Sequence, residues 1–187
     1  TQIQTFLHGI YPRSAELVGV SRGFDRKRTT LEDLEKQRKQ DFQQLITLQK
    51  KTEFAFHEDG KFPWQDLFRP IVEATNGIEA GTLTRWFDNN NFFREPTIVA
   101  KELRVDEAFL AAYFPSLSPK KKWKVTLPSP FLFAKLTNDT VNSSFEQTLE
   151  ATTGILVTIV EWLSKQGVSF IQLQEPYIPY HWATKQE

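Results

Sequence analysis

The stretch HEDGKFPWQDLFRP, His57 to Pro70, decides how the rest of the chain is read. It begins on a turn dipeptide, Asp59-Gly60, and sets Phe62, Trp64 and Phe68 beside Glu58, Asp59, Asp66 and Arg69. A solvent loop has no need of three large aromatics, and a core strand has no need of four charges. The mixture fits a loop that leaves a strand and enters a helix. Upstream, Phe54 and Phe56 alternate with Glu53 and Ala55 as a short strand does. Downstream, Leu67, Phe68, Ile71 and Val72 share one side of a helix expected over Trp64 to Ala74, with Pro70 tolerable only near its start.

The same alternation of elements extends in both directions. Gln4 to Leu7 reads as a short strand broken at Gly9 and Pro12, with Arg13 just past its carboxyl end. Thr29 or Thr30, followed by Glu32 and Asp33, marks the start of a long helix whose stripe of Leu31, Leu34, Phe42, Leu45 and Leu48 runs to about Lys51. The segment GTLTRWFDNNNFFREP, Gly81 to Pro96, gives no clean element. Thr97 to Ala100 reads as a strand and Val105 to Phe114 as a short helix. Lys122 to Leu127 is a strand stopped by two prolines, Phe145 to Lys165 a second long helix stopped at Gly167, and Val168 to Leu173 a last strand ending in Gln174-Glu175-Pro176. Strands alternating with helices predict one α/β domain over residues 1–187, with parallel strands joined by crossover helices.

Composition narrows the function classes. With 23 basic and 23 acidic residues the net charge is zero, which argues against nucleic acid or an anionic membrane as an obligatory partner. The only basic run, KKKWK at Lys120 to Lys124, reads as a solvated lead-in to a strand. No apolar run approaches the roughly 18 residues of a membrane span, and the first residues lack the pattern of a secretory leader, so a cytoplasmic location is expected. Cysteine is absent, which removes disulfides, thiolate nucleophiles and cysteine zinc sites from this stretch. Methionine is absent too and the chain opens at Thr1, so further residues beyond this stretch are expected. His8, His57 and His181 show no metal-binding spacing, and no metal ligand is assigned.

Each candidate cluster follows a strand: Gly9 to Arg13, Asp59 to Asp66, Pro128 to Pro130 and Gln174 to Tyr177. The carboxyl ends of parallel strands are where α/β proteins assemble their sites. Asp59-Gly60 is first of all a turn. Trp64 packs against the sheet or stacks on a planar ligand, while Asp66 and Arg69, three apart, are expected to pair. Arg85, Trp86 and Asp88, with the three asparagines that follow, supply directional groups between aromatic anchors; the alternative is a long loop held by its own side chains. Glu175 is aimed at the strand's end by Pro176, either toward a cationic amine or toward a neighbouring residue of the sheet.

GIYPRSAEL, DGKFPWQDLFRP, GTLTRWFDNNNFFREP, VTLPSPFLFAKLT and IQLQEP together resemble the cobalamin-independent methionine synthase family, in order and spacing, across nearly the whole chain. The shorter archaeal-type relatives are the most similar. The resemblance implies a (βα)8 TIM barrel that binds homocysteine and a methyl donor, a methylated folate or a corrinoid protein, at the strands' carboxyl ends. It also implies a zinc-bound homocysteine thiolate as nucleophile, with zinc lowering the thiol pKa. A whole barrel needs about 250 residues. The chain therefore resembles the first half, about four βα units, with the zinc ligands outside it and a second chain or second copy as the expected completion. On this reading the substrate-binding residues are Arg13, Asp59, Trp64, Asp66, Arg85, Trp86, Asp88, Gln174 and Glu175. Three positions depart from the family: Ile10 stands for Ser, Gln174 for the Asp taken to hold the homocysteine amine, and Lys61 for a position often acidic. A non-catalytic half barrel serving a catalytic partner, and a barrel enzyme of the uroporphyrinogen decarboxylase type, are the alternative readings.

Overall fold

The computed structural model describes residues 3–114 and 122–181. Its elements run α1 Ala15–Asp25, α2 Leu31–Lys51, α3 Arg69–Glu73, β1 Thr75–Asn76, β2 Ile78–Arg85, β3 Phe92–Ile98, β4 Arg104–Val105 and α4 Glu107–Ala111. They continue β5 Trp123–Pro128, α5 Pro130–Lys135, β6 Asn138–Asp139, α6 Phe145–Lys165, β7 Val168–Gln174 and α7 Tyr177–His181. Among the described residues, no helix is long and apolar enough to cross a membrane.

The parallel pair of β5 and β7 is the spine, with Lys124 opposite Phe170, Thr126 opposite Gln172 and Pro128 opposite Gln174. Two extended segments continue it on the other side of β5. His57 bridges Trp123 in parallel, its N–H donating to Lys122 O at 2.8 Å and its C=O accepting from Lys124 N at 2.9 Å. Ala55 N in turn donates to Thr5 O at 3.0 Å. The strands expected at Gln4 to Leu7 and at Phe54 to Phe56 are thus extended segments docked beside β5, too sparsely paired to form regular ladders. Among the described residues the sheets are small and not closed.

Side chains alternate across this sheet. Val125 and Leu127 face the main core, where Ile155, Leu156, Ile159 and Leu163 of α6 meet Leu132 and Phe133 of α5. Lys124 and Thr126 face the other way, on the side that carries Phe170, Gln172 and Gln174. There Phe6, Phe56 and Phe170 contact one another, and Lys124 is only 1% exposed. Its ammonium is ion-paired with Glu58 Oε1 and donates to Thr126 Oγ1 at 3.1 Å and to Leu7 O at 3.0 Å. The expectation of a solvated basic lead-in is therefore corrected at Lys124; Lys120 and Lys121 lie outside the described residues. Glu58 is fixed from behind by the buried amide of Gln49, which accepts from Glu58 N and donates to Glu58 O, both at 2.8 Å.

The long helices follow the sequence reading. Thr30 caps α2 in a capping box with Asp33, and α6 ends before Gly167, at φ +83°. Helix α1 was not expected; Ser14 caps it, accepting from Leu17 N, and both Ser14 N and Ser14 Oγ donate to the buried Asp41 carboxylate of α2. Residues 81–96, which gave no clean element, form most of an antiparallel hairpin, β2 with β3, irregular in register between Ala80 and Leu83. The helix expected over Trp64 to Ala74 is only α3, because Asp66 Oδ1 accepts from Phe68 N and Arg69 N and turns the chain before it. Arg69 accordingly pairs with Glu73, not with Asp66.

Removing one member of a buried ion pair strands the other, at a cost of about 3–5 kcal/mol. Lys124→Met should lower the urea midpoint by a corresponding amount, and adding Glu58→Leu to it should restore a large part. Equal midpoints for Lys124→Met and the parent would refute the role given to this pair.

Candidate functional site

At the carboxyl ends of these parallel segments lies a cavity of about 570 Å³, lined among others by Gly9, Ile10, Lys61, Gln65, Asp66, Trp86, Phe92, Phe93 and Gln174. It draws on four separate stretches of sequence, each directly after a strand or in the β2–β3 hairpin. The turn at its base requires two successive left-handed residues, Gly60 at φ +76° and Lys61 at φ +53°. A Cβ on Gly60 would lie 2.6 Å from Leu45 Cδ2 and 2.8 Å from Phe62 Cε2, so only glycine fits there. Asp59 Oδ1 accepts from Lys61 N at 3.1 Å and closes the turn, while its Oδ2 is buried without a partner.

Two charged groups at this turn are forced away from their usual titration. Burial pushes the Asp59 carboxyl up, against the pull of Lys61. Burial pushes the Lys61 amine down; Asp59 and Glu58 oppose that shift and Lys124 adds to it. The amine lies 5.4 Å from the centre of the Trp64 ring.

Of the residues expected to bind substrate, the cavity brings together Asp66, Trp86 and Gln174. Asp66 spends its carboxylate on the backbone, Oδ1 on Phe68 N and Arg69 N and Oδ2 on Arg94 N at 3.2 Å, so it ties α3 to β3. Trp86 packs on Phe93 and Phe68 and forms an aromatic wall. Gln174 Nε2 is 2.8 Å from His8 Nε2, across the open side of the sheet. Trp64 stands elsewhere: it is fully buried, donates Nε1 to Tyr113 O and meets Phe114 edge-on, which is core packing, the first of its two expected roles, and not a place on the cavity wall.

Arg13 lies behind the same loop, donating Nη2 to Trp64 O at 2.6 Å. Arg85 is one ring away from the cavity, with its guanidinium 5.8 Å from the centre of Phe92. Exposed Asp88 accepts from Tyr180 Oη. Glu175 takes the second of its two expected roles: its oxygens accept from Ser129 Oγ, Leu132 N, Tyr177 N and Ile178 N, which anchors α5 and α7 to the end of β7. The expected self-bonding of the asparagine loop is present in Asn91 N donating to Asn89 Oδ1. The sequence reading missed Glu58 and Lys124. The signal was there in WKVTLP, where Lys124 and Thr126 alternate with Trp123, Val125 and Leu127.

Residues 46–187 match the family described as cobalamin-independent synthase, N-terminal domain. The chain belongs to that family. Four of the five motifs lie within the matched residues; GIYPRSAEL, residues 9–17, lies before them. Two curated relatives, the 5-methyltetrahydropteroyltriglutamate–homocysteine methyltransferases of Listeria monocytogenes serotype 4b and Listeria welshimeri serovar 6b, are 26% and 25% identical over 124 residues. Those alignments cover 65% of this chain and 16% of each relative. Two solved structures share the fold. A B12-independent methionine synthase from a Shewanella species, in complex with selenomethionine, superposes with a TM-score of 0.61 at 20% identity, covering 80% of this chain and 44% of that one. A candidate enzyme of the same type from Listeria monocytogenes superposes at 0.71 with 16% identity, covering all of this chain and 57% of that one. The chain thus spans only part of the length of the relatives it matches.

Asp66 is a joint and not a free carboxylate, so Asp66→Ala should lower stability by about 1–2 kcal/mol, as loss of a helix cap does. Asp66→Asn, which keeps one acceptor oxygen, should lose less. The two variants unfolding alike would contradict this assignment.

Proposed function

We propose that this chain supplies the first four strands of a methionine-synthase-like barrel. In that barrel a methyl group passes from a methylated folate or corrinoid donor to the thiol of homocysteine. The observation that carries the reading is the cavity at the strands' carboxyl ends, where residues from four family motifs converge. Half-barrel geometry is supported by the face bearing Phe6, His8, Phe170 and Gln174. In a closed barrel that face turns inward; here Phe6 and Phe170 remain 37% and 36% exposed.

The residues present do not fit the zinc of the family. The chain has no cysteine, and among the described residues no group of three His, Cys, Asp or Glu side chains is placed to hold a metal ion. The ligands are therefore assigned to residues outside this stretch or to a completing chain, and the part given to this chain is binding. Trp86, Phe92 and Phe93 form an apolar wall, and Gln174 offers an amide to the substrate. An amide accepts from an ammonium without supplying charge, and such a bond is roughly half as strong as a charge-assisted one. Homocysteine is accordingly held more weakly here than where the family has Asp.

Titration calorimetry with homocysteine and with 5-methyltetrahydropteroyl-triglutamate, each with and without added zinc, tests the reading. Saturable binding of at least one, weakened at least tenfold by Trp86→Ala, is expected. No binding under any of the four conditions would overturn it. Sedimentation tests the half barrel separately: self-association or capture of a completing chain is expected, whereas a monomer of about 22 kDa that unfolds cooperatively would rule it out.

A further inference from the structure

Lys61 lines the cavity just described and is 1% exposed. Its amine makes no ion pair and no side-chain hydrogen bond among the described residues. A buried ammonium ordinarily has a partner, because an unpaired one costs several kcal/mol. The nearby acids do not serve. Glu58 is committed to Lys124 and Thr126, and Asp59 gives Oδ1 to the backbone of Lys61 itself while its Oδ2, though its charge favours the ammonium, makes no hydrogen bond to it. Asp66, on the cavity wall, is spent on three backbone N–H groups. Among the described residues the amine's side-chain contact is the ring of Trp64, and a cation on a ring face is worth about 0.5–2 kcal/mol, less than the burial costs.

We infer that Lys61 is the anchor for an anionic ligand group, a carboxylate carried on an apolar or aromatic body, that enters this cavity. The body matches the aromatic wall of Trp86, Phe92 and Phe93, and the volume is in the range of small-molecule sites. With Glu58 offset by Lys124, Asp59 and Asp66 remain as the carboxylates around the amine, so a ligand group of single negative charge meets less repulsion than a doubly charged phosphate. Binding of a carboxylate also restores the charged form of an amine that burial disfavours. The inference rests on the cavity being a ligand site and is independent of methyl transfer.

The test uses probes that contain neither thiol nor pterin: 3-phenylpropionate, its neutral amide, and phenyl phosphate, titrated by calorimetry into the full chain and into Lys61→Met and Lys61→Arg. Methionine keeps an apolar stem over Trp64 and the same backbone demand at φ +53°, and thermal unfolding checks that both variants fold. The carboxylate is expected to bind the parent at least tenfold more tightly than the amide or the phosphate. Lys61→Met should abolish that preference, and Lys61→Arg should retain part of it. Equal affinity for carboxylate and amide, unchanged carboxylate affinity in a folded Lys61→Met, or no saturable binding of the carboxylate would each overturn the inference. A tighter phosphate would replace the carboxylate assignment with a phosphate one.

Discussion

The parallel sheet of this fold is held together by one buried cation, Lys124. Lys124 projects from β5 into the side of the sheet that faces away from the helices, and its three bonds go to three different pieces of chain: the carbonyl of Leu7, the carboxylate of Glu58 and the hydroxyl of Thr126. The first two segments are too short and too sparsely bonded to hold a ladder on their own. A single charge with three acceptors does for them what repeated backbone bonds do for β5 and β7. Charge in a low-dielectric site is costly unless every neighbour is placed to receive it, which is why Gln49 of α2 is spent on holding the backbone of Glu58.

The site inherits its shape from that arrangement. Once residues 54–58 lie against β5, the chain must leave by the Asp59–Gly60–Lys61 turn, whose two positive φ values aim it at Phe62 and Trp64. Trp64 fills the core, Asp66 stops the descent and starts α3, and Oδ2 of the same residue reaches β3. The aromatic wall of the hairpin is thereby set opposite Lys61 and Gln174.

Much of this was legible in the sequence where local physics decides. The capping box at Thr30, the glycine after α6, the 3.6-residue stripes of both long helices and the β-branched run before Pro128 all depend on near neighbours. Elements fixed by distant partners were not. The hairpin was hidden because Gly81 to Pro96 mixes turn residues with aromatics, and its strands are stabilised by packing on Phe68 and by pairing with each other. Helix α1 was missed because its cap Ser14 is secured by Asp41, 27 residues away. Trp64 kept two possible roles for a similar reason: a tryptophan beside an acid looks the same in sequence whether the ring faces ligand or core. The family motifs were readable as strings, but the duties of their residues were not. Asp66 and Glu175, the acids one would choose for chemistry, hold backbone.

The contact between Lys124 and Leu7 spans 117 residues, and that between Lys124 and Glu58 spans 66. Parallel pairing of this kind gives no reward until the later strand exists. During synthesis the extended segments around Leu7 and Glu58 would therefore wait, with the acid of Glu58 unpaired, until Lys124 emerged from the ribosome to collect them. The residue that ties the two earliest segments to the sheet in space is also the earliest point in the chain at which they can join it.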